Sequence, residues 1–208
     1  MIVSSEKKFI FVANLKTAST SIEHILGVYA DIWLKDSEFG KHFRMSEIQT
    51  LLKAFPRVYQ ELPFFKFGVM REPADYLWSL YVAHKSSHMI GTELSTTNMS
   101  TKRFLSTWCE KFSHQVQPQR YMFVDAHGRI IVNFIAQYGS LHQDLLKVSE
   151  FIGVNFESLP KLNISPRIKK LNYFDDDDLA KIRDVYEEDY FFYENKTSKL
   201  QNFDIKFL

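Results

Sequence analysis

The sequence predicts an α/β fold with a mainly parallel central sheet flanked by helices, and three observations support this prediction. Two short apolar, β-prone runs, at residues 8–13 and 64–70, each lead into a segment with helical spacing of apolar residues. Strands that alternate with helices in this way are typical of parallel sheets. The chain has 208 residues, 45% of them hydrophobic, which is enough for a sizeable core. We therefore expect one domain covering residues 1–208.

The elements before residue 86 follow the alternation closely. The strand at 8–13 leads into a helix from Ser19, and a second helix at 46–55, with Ser46 as a possible cap, precedes the strand at 64–70. Pro73 suits the first position of the next helix. The predicted inner stripe of that helix consists of Leu77, Leu80, Tyr81 and His84.

The second half of the chain gives a less regular pattern. We predict a mobile polar loop at 86–101, a helix at 102–112, two strands around a His-Gly turn at 121–135, and a helix at 141–152. A long loop at 155–174 precedes a last helix from about 175 to 190. The sequence contains no repeats and no clear linker.

Composition excludes several classes of protein. The formal net charge is +1, so no general basic field would attract nucleic acid. Cys109 is the only cysteine, which rules out an intrachain disulfide and a cysteine cluster for zinc. There is no run of 18 apolar residues and no signal-peptide pattern after Met1. We expect a cytoplasmic protein without a membrane span, unless the sequence is part of a longer parent.

The segment FIFVANLKTASTSIEHIL, residues 9–26, has the layout of an anion-binding loop. A loop between a strand and a helix presents free backbone N–H groups, and the helix dipole adds a positive bias. Lys16 adds a full charge, and hydroxyl donors come from Thr17, Ser19, Thr20 and Ser21. The loop lacks both glycines of the Walker A pattern, which speaks against a kinase or ATPase. The alternative is an ordinary helix cap with Lys16 in solvent.

A second group of polar residues follows the strand at 64–70. Arg71 closes that strand, and Ser79 lies eight residues further on, opposite the predicted inner stripe of the helix. If the two strands are parallel neighbours, both loops emerge at the carboxyl edge of the sheet, where ligands bind in open α/β sheets. Arg71 and Ser79 could then hold a second phosphate, although a surface salt bridge is the ordinary role of an arginine.

These two segments resemble the donor-binding motifs of the P-loop sulfotransferase superfamily, whose donor is 3′-phosphoadenosine 5′-phosphosulfate (PAPS). LKTASTS resembles the 5′-phosphosulfate loop, and VMREPADYLWSLY resembles the 3′-phosphate motif. Further segments similar to bacterial, carbohydrate-type members extend the resemblance to most of the chain: GKHFRMSEI, VQPQRYMF, IAQYGSLHQDL and residues 162–193. The resemblance implies a P-loop-type three-layer fold.

The chain departs from the family pattern at four positions. Leu15 stands where proline is usual, and Glu72 replaces an aspartate or asparagine. Gln137 replaces an arginine and Gly139 a glutamate in the late motif, which affects any donor contact of that arginine. A non-catalytic module that binds the product 3′-phosphoadenosine 5′-phosphate (PAP), or another nucleotide, therefore stays open as an alternative.

The resemblance implies transfer of a sulfuryl group from PAPS to a hydroxyl of a carbohydrate or similar acceptor, with PAP as the product and no metal required. The implied donor-binding residues are Lys16, Thr17, Ala18, Ser19, Thr20, Ser21, Arg71, Ser79, Arg167 and Lys169. Lys16 would also be catalytic, because it can neutralise the bridging oxygen as it departs. The four consecutive aspartates at 175–178 suit a helix start better than a metal site. The acceptor and the oligomeric state stay open.

His42 is the first candidate for the general base, because the corresponding segment of carbohydrate-type members carries the catalytic histidine. An unperturbed imidazole has a pKa near 6.5, which suits this role. The alternatives are His84, His88, His114 and Glu23, the last expected to face solvent. Trp33, near the expected cleft, is the tryptophan to test for stacking on an acceptor.

Overall fold

The computed structural model describes residues 1–35, 40–156, 159–160 and 174–195. These residues form a mixed α/β structure with one five-stranded sheet in the order β3-β1-β2-β4-β5. The strands are β1 (Ile2–Ser4), β2 (Phe9–Val12), β3 (Ile32–Trp33), β4 (Phe65–Met70) and β5 (Phe134–Gln137).

The sheet is parallel where the predicted strands lie. β2 pairs in parallel with β4, and β4 in parallel with β5, whereas β1 is antiparallel to both β2 and β3. Four of the five strands therefore run in the same direction, and β1 alone opposes them. The α/β class is confirmed, but β1 and β3 were not predicted.

The helices before residue 84 are α1 (Ser19–Leu26), α2 (Met45–Leu52), α3 (Val58–Glu61) and α4 (Pro73–Ala83). The helix predicted at 102–112 consists of α5 (Thr101–Arg103), a π-helical segment (Phe104–Trp108) and α6 (Cys109–Lys111). The last helices are α7 (Leu141–Ile152), α8 (Asp176–Val185) and α9 (Glu187–Glu194). No helix in these described ranges is both long and apolar enough to cross a membrane.

Three local predictions were wrong. Residues 121–135 do not form two strands around the turn: Gln119–Met122 is a 3₁₀ turn, an isolated Val124–Ile130 bridge flanks the Gly128 turn, and a strand, β5, begins only at Phe134. Arg44, not Ser46, caps α2, and its N–H donates to Glu47 Oε2 at 2.7 Å. The last helix is interrupted at Tyr186, which separates α8 from α9. The predicted loop at 86–101 contains a 3₁₀ turn and a buried Thr96 that donates to the Tyr81 carbonyl.

Alternate strand residues contribute to two separate clusters, so the sheet buries both of its faces. On one face, the side chains of Phe9 and Phe11 belong to the cluster that includes α1 and α7. On the other face, Ile10 and Val12 belong to the cluster that includes Met45 and Ile48 of α2. This double coverage explains why the strands are continuous apolar runs rather than alternating ones.

A third cluster fixes α4, the helix that follows β4. It joins the buried Leu77 and Leu80 to Phe104 and Trp108 of the π-helical segment and to Ile182 of α8. Pro73 occupies the start of α4, and the Glu72 side chain caps the helix by accepting from the Asp75 N–H at 2.7 Å. Residues 71–73 therefore lie between two fixed elements, β4 and α4, which fixes the backbone position of Arg71.

Candidate functional site

The loops that follow β2 and β4 lie together at one edge of the sheet. The parallel register pairs Val12 with Gly68, so the segments that follow β2 and β4 leave the sheet in the same direction. Arg71 Nη1 donates to the Lys16 carbonyl oxygen at 3.4 Å. The structure thus brings together the two cationic residues that the sequence assigns to separate anion-binding segments.

The loop before α1 has a strained backbone. Lys16 has φ 59° and Ala18 has φ 61°, both in the left-handed region that glycine normally occupies. Ala18 is the N-cap of α1, and its carbonyl accepts from the N–H groups of Ser21 and Ile22 at 3.0 and 3.2 Å. The loop therefore reaches a tight turn without any glycine, at an energetic cost to the folded state.

Replacing Ala18 by glycine is expected to stabilise the protein by about 0.5–1 kcal/mol, because glycine adopts a positive φ without a β-carbon clash, although its flexible unfolded state offsets part of the gain. The free energy of unfolding, measured by urea titration of both proteins, checks this. A lower free energy of unfolding for Ala18→Gly would mean that the loop does not store this strain.

Lys16 and Arg71 form an electropositive centre. Burial lowers the pKa of Lys16, and the neighbouring charge of Arg71 lowers this pKa further. Within the described ranges, neither side chain forms an ion pair with a carboxylate. The Arg71 guanidinium carbon lies 4.3 Å from the centroid of the Tyr138 ring. The buried Arg71 Nε has no hydrogen-bond partner among the described residues, so it is a donor that an anion would satisfy.

The hydroxyl groups near Lys16 differ in their surroundings. Thr17 is fully buried, and its Oγ1 donates to the Asn14 carbonyl at 3.0 Å, so it shapes the loop itself. Thr20 Oγ1 accepts from Lys41 Nζ at 3.1 Å. Ser19 and Ser21 are buried at the start of α1. Ser79 is also buried, which differs from the expectation that the core does not need it.

Two of the predicted donor-binding residues, Arg167 and Lys169, lie outside the residues that the structure describes.

His42 is held by the residue that directly follows β2. Its Nδ1 lies 2.7 Å from the Ala13 carbonyl oxygen. Because a carbonyl oxygen only accepts, Nδ1 must carry the proton, which leaves Nε2 of the neutral ring with a free lone pair. The residue is exposed overall, but this hydrogen bond is partly buried, and burial is the main reason why the pKa of His42 lies below the ordinary 6.5. The ring is thus neutral and oriented at pH 7, as a general base must be.

Glu23 does not face solvent, and this prediction was wrong. The residue is 2% exposed, and its Oε2 accepts from Lys41 Nζ at 2.9 Å. Its Oε1 lies 3.5 Å from the Met1 amine. Glu23 therefore anchors the segment that carries Lys41 and His42, and a carboxylate used in this way is a poor base.

The other histidines are less well placed for proton transfer. His84 Nδ1 lies 2.9 Å from the Leu80 carbonyl oxygen and its ring is 5.0 Å from that of Trp108, which is a packed environment. Burial lowers the pKa of His84, and the charge of Lys16 acts in the same direction. The exposed rings of His88 and His114 each contact a residue near them in sequence: His88 Nε2 lies 3.2 Å from Ser86 Oγ, and His114 Nε2 lies 3.2 Å from Gln115 Nε2.

Trp33 is at the end of the edge strand β3, where its ring lies against Gly27 and 5.2 Å from Lys35 Nζ.

Sequence reasoning gave no role to three polar residues that join the site to the rest of the protein. Asn14 and Gln119 are buried between the two loops, and Asp189 of α9 is fully buried beneath them. Burial raises the pKa of Asp189 to about 6. The only signal in the sequence was that Gln119 and Asp189 fall inside segments resembling family motifs, VQPQRYMF and residues 162–193.

The two departures in the late motif contact the same residue of α9. Gln137 Nε2 donates to the Tyr193 carbonyl oxygen, and Gln137 N–H donates to Asp144 Oδ2 at 2.9 Å. A β-carbon on Gly139 would lie 3.1 Å from the Tyr193 hydroxyl. Both positions therefore contact Tyr193 of α9.

Metal ligands do not cluster in the part of the chain that the structure describes: no three His, Cys, Asp or Glu side chains there could share an ion. Asp175 instead caps α8 by accepting from the Asp178 N–H at 2.9 Å, and it pairs with Lys102 at 3.0 Å.

Comparison of the chain with protein-family models, with curated proteins and with solved structures gives no significant match. Support for a function therefore comes from the geometry of this site and from the motif resemblance.

Proposed function

We propose that the protein is a PAPS-dependent sulfotransferase with a P-loop-type three-layer fold, acting on a hydroxyl of a carbohydrate or similar acceptor. One observation carries the proposal: Lys16 and Arg71 are neighbours at the carboxyl edge of two parallel strands, with an Arg71 Nη1 to Lys16 oxygen distance of 3.4 Å. Both lack a carboxylate partner in the described ranges, so the site favours a ligand with more than one anionic group.

The residues present fit the donor in charge and in hydrogen-bond capacity. The 5′-phosphosulfate belongs with the Lys16 loop, because α1 begins at Ser19 directly after it and the positive end of the helix dipole favours an anion there. The 3′-phosphate belongs with Arg71, whose unpartnered Nε and fork of donors suit a phosphate. Burial is the main reason why the pKa of Lys16 is lowered, and the charge of Arg71 lowers it further; a ligand that brings negative charge between these residues would offset the second effect.

The side chains then have separate tasks. The bound donor supplies the sulfuryl group, which passes from the 5′-phosphate oxygen to the acceptor oxygen. His42 Nε2 accepts the proton of the acceptor hydroxyl, because the Ala13 carbonyl already holds the Nδ1 proton. Lys16 neutralises the charge that develops on the departing phosphate oxygen. Glu23 and Lys41 hold the segment that carries His42 through the 2.9 Å ion pair.

A thermal-shift comparison of PAP, ADP and ATP tests this function, followed by a sulfuryl-transfer assay with PAPS and a panel of carbohydrate acceptors. PAP at 100 times its Kd should stabilise the protein by about 2.7 kcal/mol. Stabilisation by PAP together with transfer supports the proposal. Stabilisation without transfer would assign the chain to the non-catalytic PAP-binding class, and a preference for ATP would overturn the donor assignment.

A further inference from the structure

Gln119 joins the two anion-binding loops through a single buried amide. The Arg71 N–H donates to Gln119 Oε1 at 3.0 Å, and Gln119 Nε2 donates back to the Arg71 carbonyl at 2.8 Å. This pair of hydrogen bonds closes a ring with the Arg71 backbone directly after β4. The side chain is buried, with 2% of the residue exposed, so both bonds are shielded from competing water.

The same amide reaches the Lys16 loop. Asn14 Nδ2 donates to Gln119 Oε1 and to the Val69 carbonyl, both at 3.2 Å. Asn14 Oδ1 accepts from the Leu15 N–H at 2.8 Å, and the Asn14 carbonyl accepts from Thr17 Oγ1. The conformation on either side of Lys16 is thus tied, through Asn14, to the amide that holds Arg71.

Asp189 fixes Gln119 in turn. Gln119 begins a 3₁₀ turn, where the first N–H groups have no partner within the turn. The Asp189 carboxylate accepts from the N–H groups of Gln119 and Arg120 at 2.7 and 3.1 Å. Asp189 is fully buried, so α9 holds the turn rigidly against the edge of the sheet.

We propose that Gln119 is a positioning residue that sets the separation between the Lys16 loop and the Arg71 backbone, so that one ligand can engage both. This inference rests on the proposed function, because it assumes a ligand with two anionic groups. Gln119 acts through Asn14 and Arg71 and needs no contact with the ligand. Its loss should weaken the binding of a ligand that spans both positions far more than the binding of a ligand that uses one.

The test compares two ligands on the variant Gln119→Met, which keeps the side-chain length and removes the amide. PAP carries 5′- and 3′-phosphates, whereas adenosine 5′-phosphate carries only the first. We expect the Kd for PAP, measured by calorimetry, to rise about 10- to 100-fold, since buried hydrogen bonds are lost on both sides of the amide. The Kd for adenosine 5′-phosphate should change much less, so that the ratio of the Kd for adenosine 5′-phosphate to the Kd for PAP becomes smaller.

Gln60→Met is the matched control. Gln60 lies in α3, and its amide donates to the carbonyls of Lys53 and Phe55 at 3.3 Å. This variant makes the same chemical change and should leave both affinities as they are. If Gln119→Met fails to fold, Gln119→Asn keeps the amide on a side chain one methylene shorter, and the same narrowing is expected. Equal losses for both ligands, or no loss, would overturn the inference.

Hydrogen exchange in the ligand-free protein separates this inference from the proposed function. Gln119→Met should speed amide exchange in peptides covering residues 13–18 and residue 71 together, whereas Gln60→Met should not. If the wild-type protein binds neither nucleotide, the donor assignment fails while the exchange result still decides whether Gln119 couples the loops. Unchanged exchange in either segment would contradict the coupling whatever the ligand.

Discussion

Replacing His42 by alanine is expected to lower turnover by about 100- to 10,000-fold, the usual contribution of a general base. The imidazole is oriented by the 2.7 Å hydrogen bond between Nδ1 and the Ala13 carbonyl, which leaves Nε2 as the proton acceptor. The ring is not part of either cationic position, so the affinity for PAP should stay unchanged. Steady-state kinetics with PAPS and calorimetry with PAP measure the two quantities separately.

The dependence of kcat/KM on pH is a second test of His42 as the general base. Burial lowers the pKa of His42 below 6.5, so the neutral, active form persists to a lower pH than for a free imidazole. In the wild-type protein, kcat/KM should therefore be constant near pH 7 and fall only below about pH 6.5, the ordinary histidine value. The residual activity of His42→Ala should lack this acidic limb.

His127→Ala is the matched control, since His127 is exposed in the turn that the Val124–Ile130 bridge closes. It should retain wild-type turnover and the same pH profile. Retained turnover in His42→Ala would remove the base assignment, and a parallel loss of PAP affinity would show that His42 supports the donor site instead. Either result would turn attention to His84, whose pKa the charge of Lys16 helps to lower.

The parts of the fold that the sequence predicts well are those with strong local patterns. β2 and β4 are apolar runs buried on both sides, and α7 has the predicted bounds Leu141–Ile152. β1 and β3 have three and two residues, too few for a periodic signal. The stretch at 121–135 departs from its local β propensity because a distant residue, Asp189, accepts from the Gln119 N–H and favours a 3₁₀ turn there.

The candidate site also has features that the sequence predicts and features that it does not. Parallel topology alone predicts that the loops after β2 and β4 meet, and Lys16 and Arg71 do lie side by side. The groups that hold them are joined over long separations: Asn14 and Gln119 are 105 residues apart, and Gln119 and Asp189 are 70 residues apart. No local pattern encodes such pairs. Glu23 was misplaced for the same reason, since its partner Lys41 is 18 residues away.

Replacing Arg71 and Lys16 in turn should separate the two anionic positions. Arg71→Ala is expected to raise the Kd for PAP about 10- to 100-fold, the value of charge-assisted hydrogen bonds, and to leave the Kd for adenosine 5′-phosphate nearly unchanged. Lys16→Ala should weaken both ligands by similar factors, because both carry the 5′-phosphate, and should also lower turnover. Calorimetry with the two ligands on the two variants gives a complete set of four affinities.

Two other cationic residues serve as controls for the Arg71 and Lys16 variants. Arg129→Ala and Lys111→Ala remove exposed cations that pair with Asp125 and Glu93, so they test whether any loss of positive charge weakens anion binding. Both controls should bind PAP like the wild-type protein. If Arg71→Ala weakened both ligands equally, Arg71 would belong to the same anionic position as Lys16. A single position cannot hold the two separated groups of PAP, and the donor assignment would then be wrong.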